Sequence, residues 1–455
     1  MKNHVRIASV LLLAASLAGC NGPCQKIAKI AGPKLTSGTA DFTRYVAVGT
    51  SISAGYESGG LVNRHQITTF PARFAQQVGF TVTSAGTGTF SFPAVDGNGI
   101  GPLLQLLSLV PPIITSPATP GNPINIAQVG DYQNLAIPGS LAYDFADSSA
   151  YHSFPNPIGR TNFTMFNIIT RGRGRVVDQA LRQAPTFISF EYGANEVLGS
   201  ATAGTTALIF PSANYAAILT GDMNAIHASF PNTKLAMFNV PDVTVIPFFT
   251  TWKPYTVSLT TGAVVPLVGL DPVHDLVLLT AKDSLAIGTG IPVGAYNYVY
   301  PPAPGNGRPL PGSMVLTAAE QSTILAAVTA MNAAVDSVSQ RPWIAKVDLA
   351  GTLAGIAANG YMVGSTKYTS AFVTGGIFSL DGVHPTDLAH AILANTMIDA
   401  VNARFGSTVP RVNVGQSGTL SSSSLRPTLG KDGLQGLDLQ GLDASLRMIF
   451  PRQMY

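Results

Sequence analysis

From Tyr45 to Phe405, short apolar runs take turns with segments of helical period, and that alternation constrains this chain more than any other feature. Tyr45 to Gly49, Asn134 to Ile137, Phe187 to Tyr192, Leu235 to Val240 and Ile344 to Leu349 read as strands. Pro71 to Gln77, Arg175 to Arg182, Tyr215 to Ser229, Ala318 to Val338 and Asp387 to Phe405 read as helices. The longest, within "LTAAEQSTILAAVTAMNAAVDSV", keeps its apolar residues three and four positions apart, so one stripe can face a core. Strands separated by helices need crossover connections, which predicts a parallel sheet with helices on both faces. Two stretches break the rhythm. Residues 80–130 are rich in Gly and Pro around "PLLQLLSLVPPII", and residues 245–315 hold Thr/Val runs and "YPPAPGNGRPLPG". Both read as insertions over the core, since structureless loops of this length are rare in compact domains.

The ends of the chain are of different character. "MKNHVR" is a basic start, and "IASVLLLAASLAGC" is an apolar run too short for a stable membrane span. It closes on Leu17-Ala18-Gly19-Cys20, which resembles a bacterial lipoprotein box, where the Cys is lipidated and becomes the first mature residue. Residues 1–20 are then a signal peptide and 21–40 a polar tether. Lipidation would occupy one of the 2 Cys and leave Cys24 without an intrachain partner, which excludes a disulfide framework. Asn21, not Asp, follows Cys20, which favours the outer membrane in a bacterium with two. Only 11% of residues are charged and the net charge is +3, with no long Lys/Arg run, so nothing points to a nucleic-acid partner. Residues 411–455 are a Ser-rich linker and a tail in which "LQGLD" occurs twice, too few copies for a solenoid.

Four short stretches fall where strands should end. "GTSISAGY" carries Ser51, "NLAIPGS" carries Gly139, "ISFEYGANEVLG" carries Asn195, and "SLDGVHPTDLAHAIL" carries Asp381 and His384, with Pro385 suited to a helix start. Ligands of open α/β sheets bind outside the carboxyl ends of the strands. Acyl transfer needs what these stretches supply. A Ser hydroxyl is a weak nucleophile until an imidazole takes its proton, and the imidazole needs a carboxylate to fix its tautomer. Ser51 can be the nucleophile, His384 the base and Asp381 the orienter. The N–H groups of Ser51 and Gly139 and the Asn195 amide can form an oxyanion hole.

In this order the four blocks resemble those of the SGNH (GDSL-type) hydrolase superfamily, over about Tyr45 to Phe405 without the insertions. The resemblance implies a flavodoxin-like three-layer α/β/α sandwich, here over residues 41–410, and a serine esterase or lipase. "FNVPDVTVIPFF" is similar to a stretch of its lipolytic branch. Two departures stand out. Thr50 replaces the Asp usual after the first Gly, and Glu196 replaces the Asp usual after Asn195, which puts in doubt how Asn195 is held. The chain has no G-x-S-x-G, which argues against an α/β-hydrolase elbow.

The expectation is a lipid-anchored extracytoplasmic esterase acting on carboxylic esters with an apolar acyl group, with no metal or organic cofactor implied. The alternatives are a glycan O-acetyl esterase of the same superfamily, or a surface lipoprotein that binds without turnover. "LDPVHDL" repeats the D-x-x-H spacing at Asp271 and His274, but lies in an insertion and reads as structural; a metal at Asp271, His274 and Asp275 lacks a second ligand cluster. His65, His152, His227 and His390 have no evident partners and read as surface or packing residues. "PLLQLLSLVPPII" reads as core packing, with an acyl-binding lid as the alternative.

Overall fold

A computed structural model describes residues 35–418, save 102, 110–111, 148–162, 259 and 297–302, together with residues 438–439. The lipobox with Cys20, His152, most of the linker and most of the "LQGLD" repeat lie outside the described residues.

The central sheet is parallel and runs β1 (Tyr45–Gly49), β2 (Phe187–Glu191), β3 (Lys234–Phe238), β4 (Ile344–Val347) in spatial as in chain order. Gly49 lies opposite Glu191, and Val347 opposite Phe238, so the carboxyl ends of the strands come level along one edge. Helix α1 (Phe70–Gln77) follows β1; α2 (Val176–Arg182) precedes β2; α3 (Asn195–Thr202) and α4 (Ser212–Ser229) follow it. The long α5 (Ala318–Ser339) leads into β4, then α6 (Leu349–Asn359) and α7 (Asp387–Phe405) close the domain. Asn134–Ile137 departs from its expectation. It pairs parallel to the outer edge of β1, with Leu135 N donating to Ala47 O and Ile137 N to Gly49 O, but forms no full strand. Asn134 turns its own N–H away from β1 to Ser91 O and its side-chain amide to Ser53 O. Counting this segment, the spatial order is 2-1-3-4-5, the flavodoxin-like order.

Both faces of the sheet are covered, as a parallel sheet requires. Side chains alternate across it, so Tyr45, Ala47, Phe187, Ala236, Phe238 and Val347 meet Phe70 and Phe74 of α1 and Leu393, Met397 and Val401 of α7. Val46, Val48, Ile188, Phe190, Leu235 and Met237 face the opposite way, with α2, α4 and α5. In α5 the buried residues are Ile324, Val328, Met331, Val335 and Val338, the three- and four-residue stripe visible in the sequence. Each such side chain stabilises by about 1.5–3 kcal/mol when fully buried. A capping box fixes its start: the Thr317 hydroxyl accepts from Glu320 N while Glu320 accepts from Thr317 N at 2.8 Å.

Packing runs a little past residues 41 and 410. Thr39 N donates to Phe405 O and Thr408 N to Thr36 O, while Val412 exchanges hydrogen bonds with Asn395. In the first insertion Leu103, Leu104 and Ile114 are buried, while Leu107 is exposed. No described helix is long and apolar enough to cross a membrane.

Candidate active site

β1 ends on Gly49 because nothing larger fits there: a Cβ would stand 2.6 Å from Ser53 Oγ and 2.7 Å from Glu191 O. The chain then enters a single helical turn, Ser51–Ala54, stopped by Gly55 in the left-handed region at φ 83°. Ser51 is its first residue, so its N–H lies outside the helical ladder. Beneath the turn is Glu191, the last residue of β2. Its carboxylate accepts from Thr50 N at 3.0 Å, from Thr50 Oγ1 at 2.9 Å and from Ser53 Oγ at 2.9 Å. Burial raises its pKa against these bonds, which favour the charged form. Thr50, the departure in the first block, is thus one anchor of the turn.

The loop before α7 brings the other two groups. His384 Nε2 is 2.9 Å from Ser51 Oγ, and His384 Nδ1 is 2.8 Å from Asp381 Oδ2. Asp381 Oδ1 accepts from the N–H groups of Val383 and His384, each at 2.9 Å, and from Ser379 Oγ at 3.0 Å. Gly59 N donates to Oδ2 at 2.9 Å, so a segment just past the serine turn also holds the carboxylate. Burial alone would raise the Asp381 pKa. The neighbouring His384 imidazole and the bonds from the loop backbone outweigh it and hold the carboxyl below its usual range. Tyr56 lies against the imidazole with ring centres 5.0 Å apart and donates its hydroxyl to Gly59 O. Pro385 stands one residue before the helix cap; Thr386 is the cap, its hydroxyl accepting from Ala389 N, and α7 begins at Asp387. Leu393, Met397 and Val401 are buried as expected.

Asn195 opens α3 and faces the same cleft; its amide donates to Ser140 O at 2.9 Å, leaving the second amide hydrogen for another acceptor. Gly139 stands at φ 80° one residue before Ser140, in the turn leaving the edge of β1, and is not among the residues of the cleft wall. Glu196, the second departure, is buried and accepts from Ala142 N at 2.7 Å. It ties α3 to the loop whose Ser140 carbonyl holds Asn195.

The cleft over these residues is partly open to solvent, and its wall is mostly apolar. Val243 and Ile246 come from the "FNVPDVTVIPFF" stretch, Leu198 from α3, Leu349 and Leu353 from α6, and Leu393 from α7.

The second D-x-x-H copy folds into the same local turn. Asp271 Oδ1 accepts from Val273 N and His274 N, and Asp271 Oδ2 lies 2.8 Å from His274 Nδ1. Its pair is exposed, at 47% and 65%, against 2% for Asp381 and His384. Asp275 accepts from the N–H groups of Asp271 and Ala318. Local geometry therefore follows the spacing, while reach to a hydroxyl follows the context.

His227 stacks on Trp343 as a packing residue, and His390 is buried. His65 differs from its expectation: it is buried with its Nδ1 between Glu57 and Asp387. Sequence reasoning missed this group and Glu191. A signal existed for Glu191, a lone charge ending an apolar run; none existed for Glu57, His65 and Asp387, which come together only through the fold.

A family model described as GDSL-like Lipase/Acylhydrolase matches residues 45–397. No curated protein matches the chain. Among solved structures, a candidate GDSL-like lipase from Parabacteroides merdae is 11% identical with a TM-score of 0.33, over 80% of this chain and 98% of that one. An extracellular lipase from Streptomyces rimosus is 11% identical with a TM-score of 0.32, over 79% and 98%. A carbohydrate esterase family 2 enzyme with a carbohydrate-binding domain from Corynascus thermopiles is 12% identical with a TM-score of 0.33, over 80% and 67%.

Proposed function

The chain belongs to the GDSL-like lipase/acylhydrolase family, and we propose that it is a serine esterase acting on carboxylic esters with an apolar acyl group. Ser51 Oγ attacks the ester carbonyl while His384 Nε2 takes its proton. Asp381 keeps the Nδ1–H tautomer and stabilises the imidazolium that forms. The tetrahedral oxyanion is met by the N–H groups of Ser51 and Gly139 and by the Asn195 amide hydrogen not bound to Ser140. The imidazolium returns its proton to the leaving alkoxide, and the alcohol departs from an acyl-enzyme on Ser51. Water then attacks this acyl group with His384 as base, releasing the acid and restoring the hydroxyl.

The observation that carries this reading is the continuous Ser51–His384–Asp381 hydrogen bonding at the floor of an apolar cleft. Apolar walls favour an acyl chain of several carbons over an acetyl group, at about 0.8 kcal/mol per buried methylene. A series of p-nitrophenyl esters tests it: kcat/KM should rise from acetate to butyrate and longer acyl groups. A preference for acetate over every longer chain would overturn the acyl assignment in favour of deacetylation.

We further propose that Cys20 is lipidated and holds the enzyme on the outer face of a bacterial membrane system, the outer membrane where there are two. Cys20→Ser should lose fatty-acid labelling and leave the membrane fraction; continued labelling would refute it.

A further inference from the structure

Behind the serine–histidine pair lies a second group of ionisable side chains that ester hydrolysis does not use. Glu57 belongs to the short hairpin after the serine turn, His65 to the helical turn that follows, and Asp387 to the first turn of α7. One ligand atom from each lies within 4.8 Å of the other two. His65 Nδ1 stands 3.1 Å from Asp387 Oδ1 and 3.2 Å from Glu57 Oε2.

Glu57 is fully buried, and neither of its carboxylate oxygens has a hydrogen-bond donor; the approach to His65 is close but not aligned as a hydrogen bond. An unpartnered buried carboxylate costs several kcal/mol, so its place here needs a reason. Two acidic groups crowd one imidazole nitrogen, and the buried oxygens of Glu57 are aimed among them without a donor. Arg73 donates to the backbone oxygens of Thr68 and Asp387.

We propose that Glu57, His65 and Asp387 form a binding site for a divalent transition ion of the zinc type. Ligands at about 2.0–2.2 Å in a tetrahedron stand about 3.3–3.6 Å apart, so the two nitrogen–oxygen edges need to open by only a few tenths of an ångström. The imidazole nitrogen turns the choice away from calcium and magnesium, which take oxygen ligands. Three protein ligands leave a fourth position for water or for the second oxygen of Glu57. Such an ion would link two segments that frame the acid–base loop. Glu57 is followed by Ser58 and Gly59, whose N–H groups hold Ser379 and Asp381, and Asp387 comes three residues after His384. Its role is to fasten these segments; it stands outside the reacting groups.

The test uses the full chain without a histidine tag, stripped with a chelator and dialysed against micromolar zinc chloride. The wild type should retain one zinc per chain and melt a few degrees higher than the stripped protein, as an ion binding only the folded state requires. Glu57→Gln and His65→Asn should lose the bound zinc and the shift, whereas His274→Ala, at the exposed pair, should keep both. Absence of retained zinc in the wild type would overturn the proposal whatever the variants do. Retention by Glu57→Gln equal to wild type, or loss in His274→Ala alone, would also overturn it.

Discussion

Replacing Glu191 by Ala removes the acceptor beneath the serine turn. Three buried donors then lose their partner: Thr50 N, Thr50 Oγ1 and Ser53 Oγ, all now within 3.0 Å of the carboxylate. A buried donor left unsatisfied costs about 1–3 kcal/mol, and the two hydroxyls can rotate to recover part of theirs, so the expected loss of stability is about 3–5 kcal/mol. Activity should fall further than folding alone requires. Ser51 directly follows Thr50, and a displacement of about 1 Å in a reacting group costs on the order of 100-fold, so kcat should drop between about 10- and 100-fold with KM little changed. Glu191→Gln is the control. It keeps one oxygen as acceptor for Thr50 N and Ser53, and turns its amide toward the rotatable Thr50 hydroxyl. It should stay within about 1 kcal/mol of wild type and within a few-fold in kcat. Denaturant unfolding and steady-state kinetics on one chromogenic ester measure both quantities. Equal damage in Glu191→Gln and Glu191→Ala would show that the charge matters and refute the hydrogen-bond argument; an undamaged Glu191→Ala would refute the positioning role itself.

His384→Ala should lower kcat by several orders of magnitude, while His274→Ala should stay near wild type because its imidazole is exposed and pairs with Asp271, away from Ser51; the reverse order on one ester would mean the wrong D-x-x-H copy was chosen. Asn195→Ala should lower kcat by about 100- to 1000-fold with little effect on KM, and a loss under about 3-fold would move the oxyanion role elsewhere. Burial pushes the carboxyl of Asp222, on α4, up to about 7. Between about pH 4 and 7 the folded state therefore keeps a proton that the unfolded chain has released, so stability falls with rising pH by up to about 4 kcal/mol and is level above 7. Asp222→Asn should remove that fall and be more stable than wild type at pH 8 in urea titrations; an unchanged pH dependence would refute the assignment.

Much of this architecture was legible before any coordinates. The strands and long helices follow from apolar periodicity, and their boundaries shift by at most three residues, the largest shift being the start of α4 at Ser212 instead of Tyr215, while the apolar stripes and strong caps of α5 and α7 hold theirs within one. Asn134–Ile137 has a strand's composition and bonds parallel to β1, but reaches the sheet as an isolated bridge at its edge instead of a full strand. Helices α3 and α6 escaped notice because Gly and small residues such as Gly199 and Gly351 blur their period. At the site, Ser51 is identifiable because it follows the end of β1 in a short motif, and Asp381 and His384 because their motif stands on the loop entering α7; the structure brings the three into hydrogen-bond contact. Glu191, the Leu198–Leu353 wall and the Glu57–His65–Asp387 group were not, since their meaning lies in contacts between residues far apart in the chain.

The central claim is that Ser51 becomes acylated, and a fluorophosphonate probe with mass-spectrometric mapping tests it most directly. The nearby Ser53 is fully buried and donates to Glu191, so it offers no accessible nucleophile. The account predicts one modified residue, Ser51, with stoichiometric loss of esterase activity, and no labelling of Ser51→Ala. Labelling at Ser53, or an active and still-labelled Ser51→Ala, would contradict it.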